Sequence, residues 1–362
     1  MAVTEFGSSD PQTIQHWSRT TMREAISRTF FQSLIGTGPT ACVQRLTELE
    51  KSAGDLIKYD LLYQMSQTGV EGDNPIAGFE EAMTYAQDSV SIDQRRIAHA
   101  FRRMSQQRTI HDLRGDAREN LADRWAAIID QILFAQLAGV TGDHTAPAAL
   151  PAAVAAHGGN TLVDASADAD HYLDYGDGAS SEETLSLTHI ERLLEKANDI
   201  DPLLRPAKNM FGTSYCLIVH PRCVYDLRTN TTAGQWQEVN KYAFMGKGTE
   251  SPFMKYVVGV HADTTILASR YIPLLLAGAA NDTATCLFLG AQAGVVAFGN
   301  AYPKVRQSSN GGGSFMSWAE RSDDYGNEMG VAAGSVFGMK PAIFDSKRFG
   351  MIRLDVIADS HI

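Results

Sequence analysis

One stretch restricts what this chain can fold into more than any other: the run from Thr109 to Gly142 predicts a single long amphipathic helix. The pattern T-I-H-D at 109–112 sets a hydroxyl three residues ahead of an acid, as at a helix start. After Gly115 neither proline nor glycine interrupts the run until Gly139 and Gly142 close it. A helix from Asp112 to Ala138 would be on the order of 40 Å long. At about 100° per residue, Ile110, Leu113, Ala117, Leu121, Trp125, Ile128 and Ile132 share one face. Asp112, Asp116, Glu119, Asp123 and Asp130 gather on the opposite one. The expectation is a strut, with one side on a sheet and the other wet. It is an architectural part, not a catalytic one.

A second feature asks for a partner. Asp55–Met65 and Phe79–Ile92 read as two strands joined by the glycine-rich connector S-Q-T-G-V-E-G-D-N-P-I-A-G. A two-stranded ribbon of that size is barely stable alone in water, so it should lie on another surface. Its apolar residues Leu61, Tyr63, Met65, Val70, Ile76, Phe79, Met83 and Tyr85 are the candidate contacts.

Around these two parts the 362 residues, 44% of them hydrophobic, can build a large core in two domains or in one with excursions. The first 50 residues start polar, read helical over Thr20–Ile35, and resemble an arm that packs on something else. Residues 143–180, rich in Ala, Gly and Asp, read as a surface insertion. A helix is expected at Leu187–Asn198, capped by Thr188 and Glu191, and another after Pro221. Ser214–His220, Thr264–Ala268 and Cys286–Leu289 read as buried strands. Met329–Met339 and Gly350–Ala358 read as late strands around a turn at Lys340–Pro341. No βαβ rhythm is present, so the class is α+β.

Charge and cysteine usage exclude several functions. A net charge of -11 argues against a general nucleic-acid binder. Residues 95–124 nevertheless hold eight arginines against four acids, a local +4, which leaves -15 for the rest. Arginine without lysine favours bidentate protein–protein pairing, with scattered surface arginines as the plain alternative. Met1–Asp10 lacks the basic and apolar regions of a secretory leader, and no run approaches a membrane span. Cys42, Cys216, Cys223 and Cys286 show no C-x-x-C spacing and read as buried free thiols suited to a reducing cytosol.

Motifs for chemistry fail on inspection. G-T-G-P-T-A at Gly36–Ala41 copies the letters of a dinucleotide fingerprint, but Pro39 intrudes and no strand precedes it. M-G-K-G-T at Met245–Thr249 lacks the first glycine of a phosphate loop. Asp164, Asp168, Asp170, Asp174 and Asp177 do not follow calcium-loop spacing and read as a solvated acidic loop. No catalytic residue, cofactor site or metal site is expected.

Several stretches carry a family likeness: G-V-E-G-D-N-P-I-A-G-F-E-E-A-M at 69–83, Q-R-T-I-H-D-L-R-G-D-A-R at 107–118, V-H-P-R-C-V-Y-D-L-R at 219–228 and Y-G-N-E-M-G-V-A-A-G-S-V-F-G-M-K-P at 325–341. In their order, from about residue 50 to 357, they resemble major capsid proteins of tailed phages with the Hong Kong 97-like fold, in particular the N-four-like family. The likeness departs mainly at 143–180. It implies an N-terminal arm at 1–54, an extended loop at 55–92, and a peripheral domain at 93–198 with its spine helix at 112–138. An axial domain at 199–305 and a return to the peripheral domain at 306–362 would follow. It implies a shell subunit, not an enzyme, that forms hexamers and pentamers with its own copies and encloses DNA without sequence-specific binding. It would assemble in the bacterial cytoplasm and end in the virion. The implied partners are a portal protein and a separate scaffolding protein, since no charged coiled-coil segment precedes the arm; decoration proteins are left open. The acidic stripe of the helix would then face the lumen. An encapsulin-like cellular compartment is the nearest alternative, and a cytosolic dinucleotide enzyme a weak one.

Overall fold

The computed structural model describes Ala25, Ser360 and residues 29–46, 54–62, 69–72, 76–78, 80–139, 161–163, 184–200, 203–209, 212–229, 257–276, 282–299, 316–344 and 347–358. A 3-10 turn at Phe30–Ser33 leads into β1 (Ile35–Gly36), β2 (Val43–Leu46), β3 (Leu56–Leu62), β4 (Tyr85–Ser91), β5 (Asp93–Arg102) and a short helix, α1 (Arg103–Arg108). The long helix α2 (Leu113–Ala138) follows, then β6 (Thr161–Val163), α3 (Leu187–Asp199), β7 (Ala207–Asn209), β8 (Gly212–Val219) and α4 (Pro221–Thr229). Next come β9 (Val257–His261), β10 (Thr264–Ala268), β11 (Leu274–Leu275), β12 (Thr283–Leu289) and β13 (Gly294–Phe298). The chain closes with β14 (Met316–Asp323), β15 (Glu328–Pro341), β16 (Ile343–Phe344), β17 (Lys347–Arg348) and β18 (Met351–Ile357).

Two sheets result. The first runs β1-β2-β13-β15-β14, with β5 also paired to β15. The second runs β6-β18-β12-β8-β10-β9, with β11 on β12 and β7 on β8. The reason for the second sheet's apolar runs is visible in β8. Its Cys216 and Ile218 join the core around α2, while Leu217 and Val219 join the core beneath α3 and α4. A strand covered on both faces cannot alternate with polar residues. All four cysteines are free and buried, as expected. A hydrogen bond with Cys216 pushes the Cys42 thiol well above its usual range, and burial adds to this.

The long helix forms where its sequence dictates, but only half of it is a strut. Asp112, not Thr109, is the cap: its carboxylate accepts the Arg114 amide at 3.2 Å. Gly115 permits this, because a Cβ there would sit 2.8 Å from Asp112 Oδ2. Thr109 instead accepts the His111 amide, and Ile110 stands outside the helix, fully exposed at 103%. Leu121 and Trp125 face the first sheet, with Trp125 edge-on to Phe337 at 6.1 Å. From Trp125 onward, all but the half-buried Ala127 and Gln131 are buried. There α2 packs against both sheets, touching a core that includes Val296 and Phe298 on one and Cys216, Ile218, Leu287 and Leu289 on the other. Each such side chain contributes about 1.5–3 kcal/mol. Gly139, at φ 74°, ends the helix in the left-handed conformation. The buried Arg348 guanidinium donates to the Leu137 carbonyl, and Arg353 to that of Ala138. Two cations at the negative end of the helix complement its dipole. Burial, and then Arg353, pulls the Arg348 pKa down to about 10, which leaves it charged at neutral pH.

Asp130 overturns its assignment to the wet face. It is 2% exposed, and its carboxyl accepts the backbone amides of Phe30 at 2.8 Å and Phe31 at 3.4 Å. Phe30 and Phe31 close over Phe134, with ring centroids 5.6 and 4.7 Å from it. The N-terminal segment is thereby pinned to α2, and β2 goes on to pair in parallel with β13 inside the first sheet.

Other expectations shift in detail. The box before α3 is Ser186 with His189, whose ring nitrogen accepts the Ser186 amide at 3.1 Å, in place of Thr188 and Glu191. Lys340–Pro341 is not a turn, because β15 runs through it to pair Pro341 with Gly294. Of Thr20–Ile35, Ala25 is helical as expected, while Phe30–Ser33 is a 3-10 turn and Ile35 begins a strand. Most of 143–180 lies outside the described residues, yet Thr161–Val163 adds an edge strand beside β18. The domain bounds also cut across the sheets: β13 lies in the first although it falls within 199–305, and β18 lies in the second although it falls within 306–362.

The anchor at Asp130 is pH-dependent. Burial raises its pKa from 3.8 to about 7 against the lowering pull of the two amides. Between those values the folded state holds the extra proton. The carboxyl's contribution is therefore complete below about pH 3.8 and is lost as pH rises through about 7. Asp130→Asn, a neutral mimic, should match wild type in thermal melts near pH 4. Above pH 7 it should exceed wild type by an amount on the order of 2–4 kcal/mol. Equal melting curves at both pH values would refute the raised pKa, since asparagine can still accept the two amides.

Candidate assembly surface

The β3–β4 hairpin is antiparallel and in register from Leu56–Ser91 to Leu62–Tyr85. Its base has an intramolecular bed that the sequence did not reveal. Ile57, Ala86 and Val90 pack with Val295 and Ala297 of β13 and with Ala342 and Phe349, which lie between β15 and β18. The fit is tight enough to require glycine: a Cβ at Gly338 would collide with the Ser91 carbonyl, and one at Gly299 would come within 2.6 Å of Ile92.

A polar latch holds the same base. Asp88 lies opposite Tyr59 in the hairpin register and accepts its hydroxyl at 2.7 Å. It also accepts Lys340 Nζ at 2.5 Å and the amides of Ser89 and Ile343 at 2.7 and 3.2 Å. Burial pushes the Asp88 pKa up, but the bonds from Lys340, Tyr59, Ser89 and Ile343 outweigh it, so the group stays below the usual carboxylate range. Burial and the adjacent carboxylate push the Tyr59 phenol up in turn.

Beyond the base the picture reverses. Ile76 is 65% exposed, Met83 70% and Tyr85 54%, while Val70 is half-buried. Leu61 pairs through its backbone with Ala86, its side chain lying outside the described residues, as do Tyr63, Met65 and Phe79. Ile76, Met83 and Tyr85 are large apolar side chains left open to solvent, a candidate contact surface. Sequence reasoning found this outer part and missed the latch. The available signal was an acid and a tyrosine at facing strand positions.

The acidic stripe of α2 survives in part. Asp112, Asp116, Glu119 and Asp123 are exposed, with Glu119 3.8 Å from Arg118, and only Asp130 leaves the set. On the other side, Arg114 pairs with Glu320 at 2.7 Å and ties the helix to β14. Among the described residues no group of three or more His, Cys, Asp or Glu could hold a metal ion. No described helix is long and apolar enough to cross a membrane.

A family model described as phage capsid protein matches residues 5–359. The major capsid protein of Pseudomonas phage KPP25 is 37% identical over 129 residues, which cover 34% of this chain and 34% of that protein. The match thus spans about a third of that relative's length. The capsid of Ralstonia phage GP4 superposes with a TM-score of 0.77 at 28% identity, covering 100% of both chains. The cyanophage Pam1 capsid, at 17% identity and a TM-score of 0.67, covers 99% of this chain and 95% of its own.

The latch can be opened from either side. Asp88→Ala leaves Lys340 and the Ile343 amide without their carboxylate, at a cost of about 3 kcal/mol, the scale of breaking a partly buried ion pair. Gly338→Ala should separate the same surfaces sterically. Amide hydrogen exchange at 85–91 should quicken in both variants while α2 stays protected. Wild-type Asp88 should show the same loosening only in acid, below its ordinary 3.8, because its folded pKa is depressed. Unchanged exchange at the hairpin base would refute the latch.

Proposed function

This chain belongs to the phage capsid protein family and has its Hong Kong 97-like fold, and we propose that it is the major capsid subunit building the icosahedral shell of a tailed phage around double-stranded DNA. The family match over residues 5–359 carries this reading. The ribbon whose base is latched and whose outer part is exposed supports it, since such a part needs a neighbour. Under this reading residues 1–54 are the arm, 55–92 the extended loop, and the two sheets the peripheral and axial parts. Subunits meet as hexamers and pentamers, with a scaffolding protein and a portal as assembly partners, in the bacterial cytoplasm. The encapsulin-like alternative is weaker, because the matched family is one of phage capsids.

In this subunit the outer hairpin lies on a neighbouring copy. Ile76, Met83 and Tyr85 would each contribute about 1.5–3 kcal/mol on burial, enough together to hold adjacent subunits. Removing 67–78 should leave a folded subunit by circular dichroism but abolish closed shells in electron micrographs. Shells of normal size and yield from the deletion would sink the hairpin's role.

The exposed stripe of α2 faces the lumen. Packed DNA must be contained without being glued to the wall, and carboxylates repel phosphate over about a Debye length, ~8 Å at physiological salt. Converting Asp116 and Asp123 to lysine should raise retention of DNA on disrupted shells several-fold at low salt, while the folded subunit melts as before. Equal DNA retention would place the stripe elsewhere.

A further inference from the structure

The four cysteines of this chain are not scattered through the fold. They form two pairs, one in each of the larger hydrophobic cores: Cys42 with Cys216, and Cys223 with Cys286. In each pair the two thiols are hydrogen-bond partners. The partners are remote in sequence, so no local motif brings them together. Four small residues placed at random among 362 would seldom all meet in twos. A free cysteine packs as a small hydrophobe, so packing alone asks for no such pairing.

Backbone bonds fix each partner in a different element. The Cys42 carbonyl accepts the Ala293 amide at 2.8 Å, which holds Cys42 at the entry to β2 in the first sheet. Cys216 lies on β8 of the second sheet, in register with Thr265 on β10 and Leu289 on β12. The first pair therefore spans the two sheets. Cys286 lies on β12, in register with Leu354 on β18, and its sulfur also accepts the His220 amide just ahead of α4. Cys223 is in the first turn of α4, so the second pair spans helix and sheet. One pair thus sits on each face of the second sheet.

We infer that each pair is a disulfide-forming site, whose oxidant is a peroxide small enough to enter a packed core. One thiol gives up its proton, and its sulfur attacks a peroxide oxygen. The O–O bond breaks, hydroxide leaves with that proton as water, and a sulfenic acid remains. The partner sulfur then displaces the sulfenic hydroxyl: the S–S bond forms, the S–O bond breaks, and the hydroxyl leaves with the partner's proton as a second water. Two thiols and one hydrogen peroxide give one disulfide and two waters, with sulfur oxidised and peroxide oxygen reduced. Burial and the thiol–thiol bonds keep Cys42 and Cys286 protonated, which makes the first step slow. A reducing cytosol therefore leaves both pairs open, and oxidation belongs to long exposure outside it. Under the shell reading, the bonds would follow assembly and staple each subunit internally without joining copies.

The purified full-length chain tests this. After days in dilute hydrogen peroxide, unfolding in iodoacetamide should find none of the four thiols still free. Non-reducing peptide maps should show Cys42 joined to Cys216 and Cys223 joined to Cys286. Both bonds close long loops, so the oxidised chain should melt roughly 5 °C or more above the reduced one, and dithiothreitol should abolish the difference. Cys42→Ala and Cys223→Ala, which keep a small apolar side chain, should each lose their own linkage and retain the other. Linkages in other combinations or between copies, sulfinic or sulfonic acids in place of disulfides, or four thiols still free would each overturn the proposal. None of these readings depends on shell formation, so their failure leaves the shell reading standing.

Discussion

The second half of α2 is the constraint on which the rest of the molecule depends. From Trp125 onward it is buried nearly all round, and it is where the cores of the two sheets meet. Remove it and β8, β12 and β13 lose a common neighbour. The polar costs of placing a helix end there are met individually. Arg348 and Arg353 occupy its last carbonyls, and the one carboxyl within it, Asp130, takes the amides of Phe30 and Phe31. The buried carboxyl thus also decides where the N-terminal segment goes.

The hairpin shows a complementary division. At its base apolar packing, a missing Cβ at Gly338 and a carboxylate with four partners leave little freedom of placement. Its outer part exposes Ile76, Met83 and Tyr85. Within one subunit that exposure is costly and unexplained. On the proposed shell reading it becomes the contact with a neighbouring copy, and firm seating of the base would give that contact its direction. Preorganisation of this kind lowers the entropy lost on association.

Sequence revealed most where local physics decides structure. The bounds of α2 followed from an uninterrupted run and a glycine stop, and the hairpin strands from turn residues between apolar segments. It failed where partners are remote. Asp130 looked wet because angular position treats every acid as solvated, whereas its partners lie a hundred residues upstream. Asp88 finds Lys340 only once the chain has folded. One miss was avoidable. The run I-I-D-Q-I-L-F-A-Q-L-A is apolar on nearly every side, the signature of a helix buried all round, and a single-face reading passed over it. The outer apolar residues of the hairpin were named from sequence, but its base was not, since packing on β13 cannot be read from strand periodicity.

The uneven burial of α2 has a mechanical consequence. A beam gripped along half its length and supported on one side along the other is a cantilever, and it bends where the grip begins. That point falls within a turn of Leu121–Trp125, where the surroundings change from one-sided to complete. No proline or glycine marks it, so no sequence rule for kinks would find it. Load reaching the N-terminal half through the Arg114–Glu320 tie would flex the helix there before it disturbed the second sheet. The subunit can thus yield in one place and keep its core.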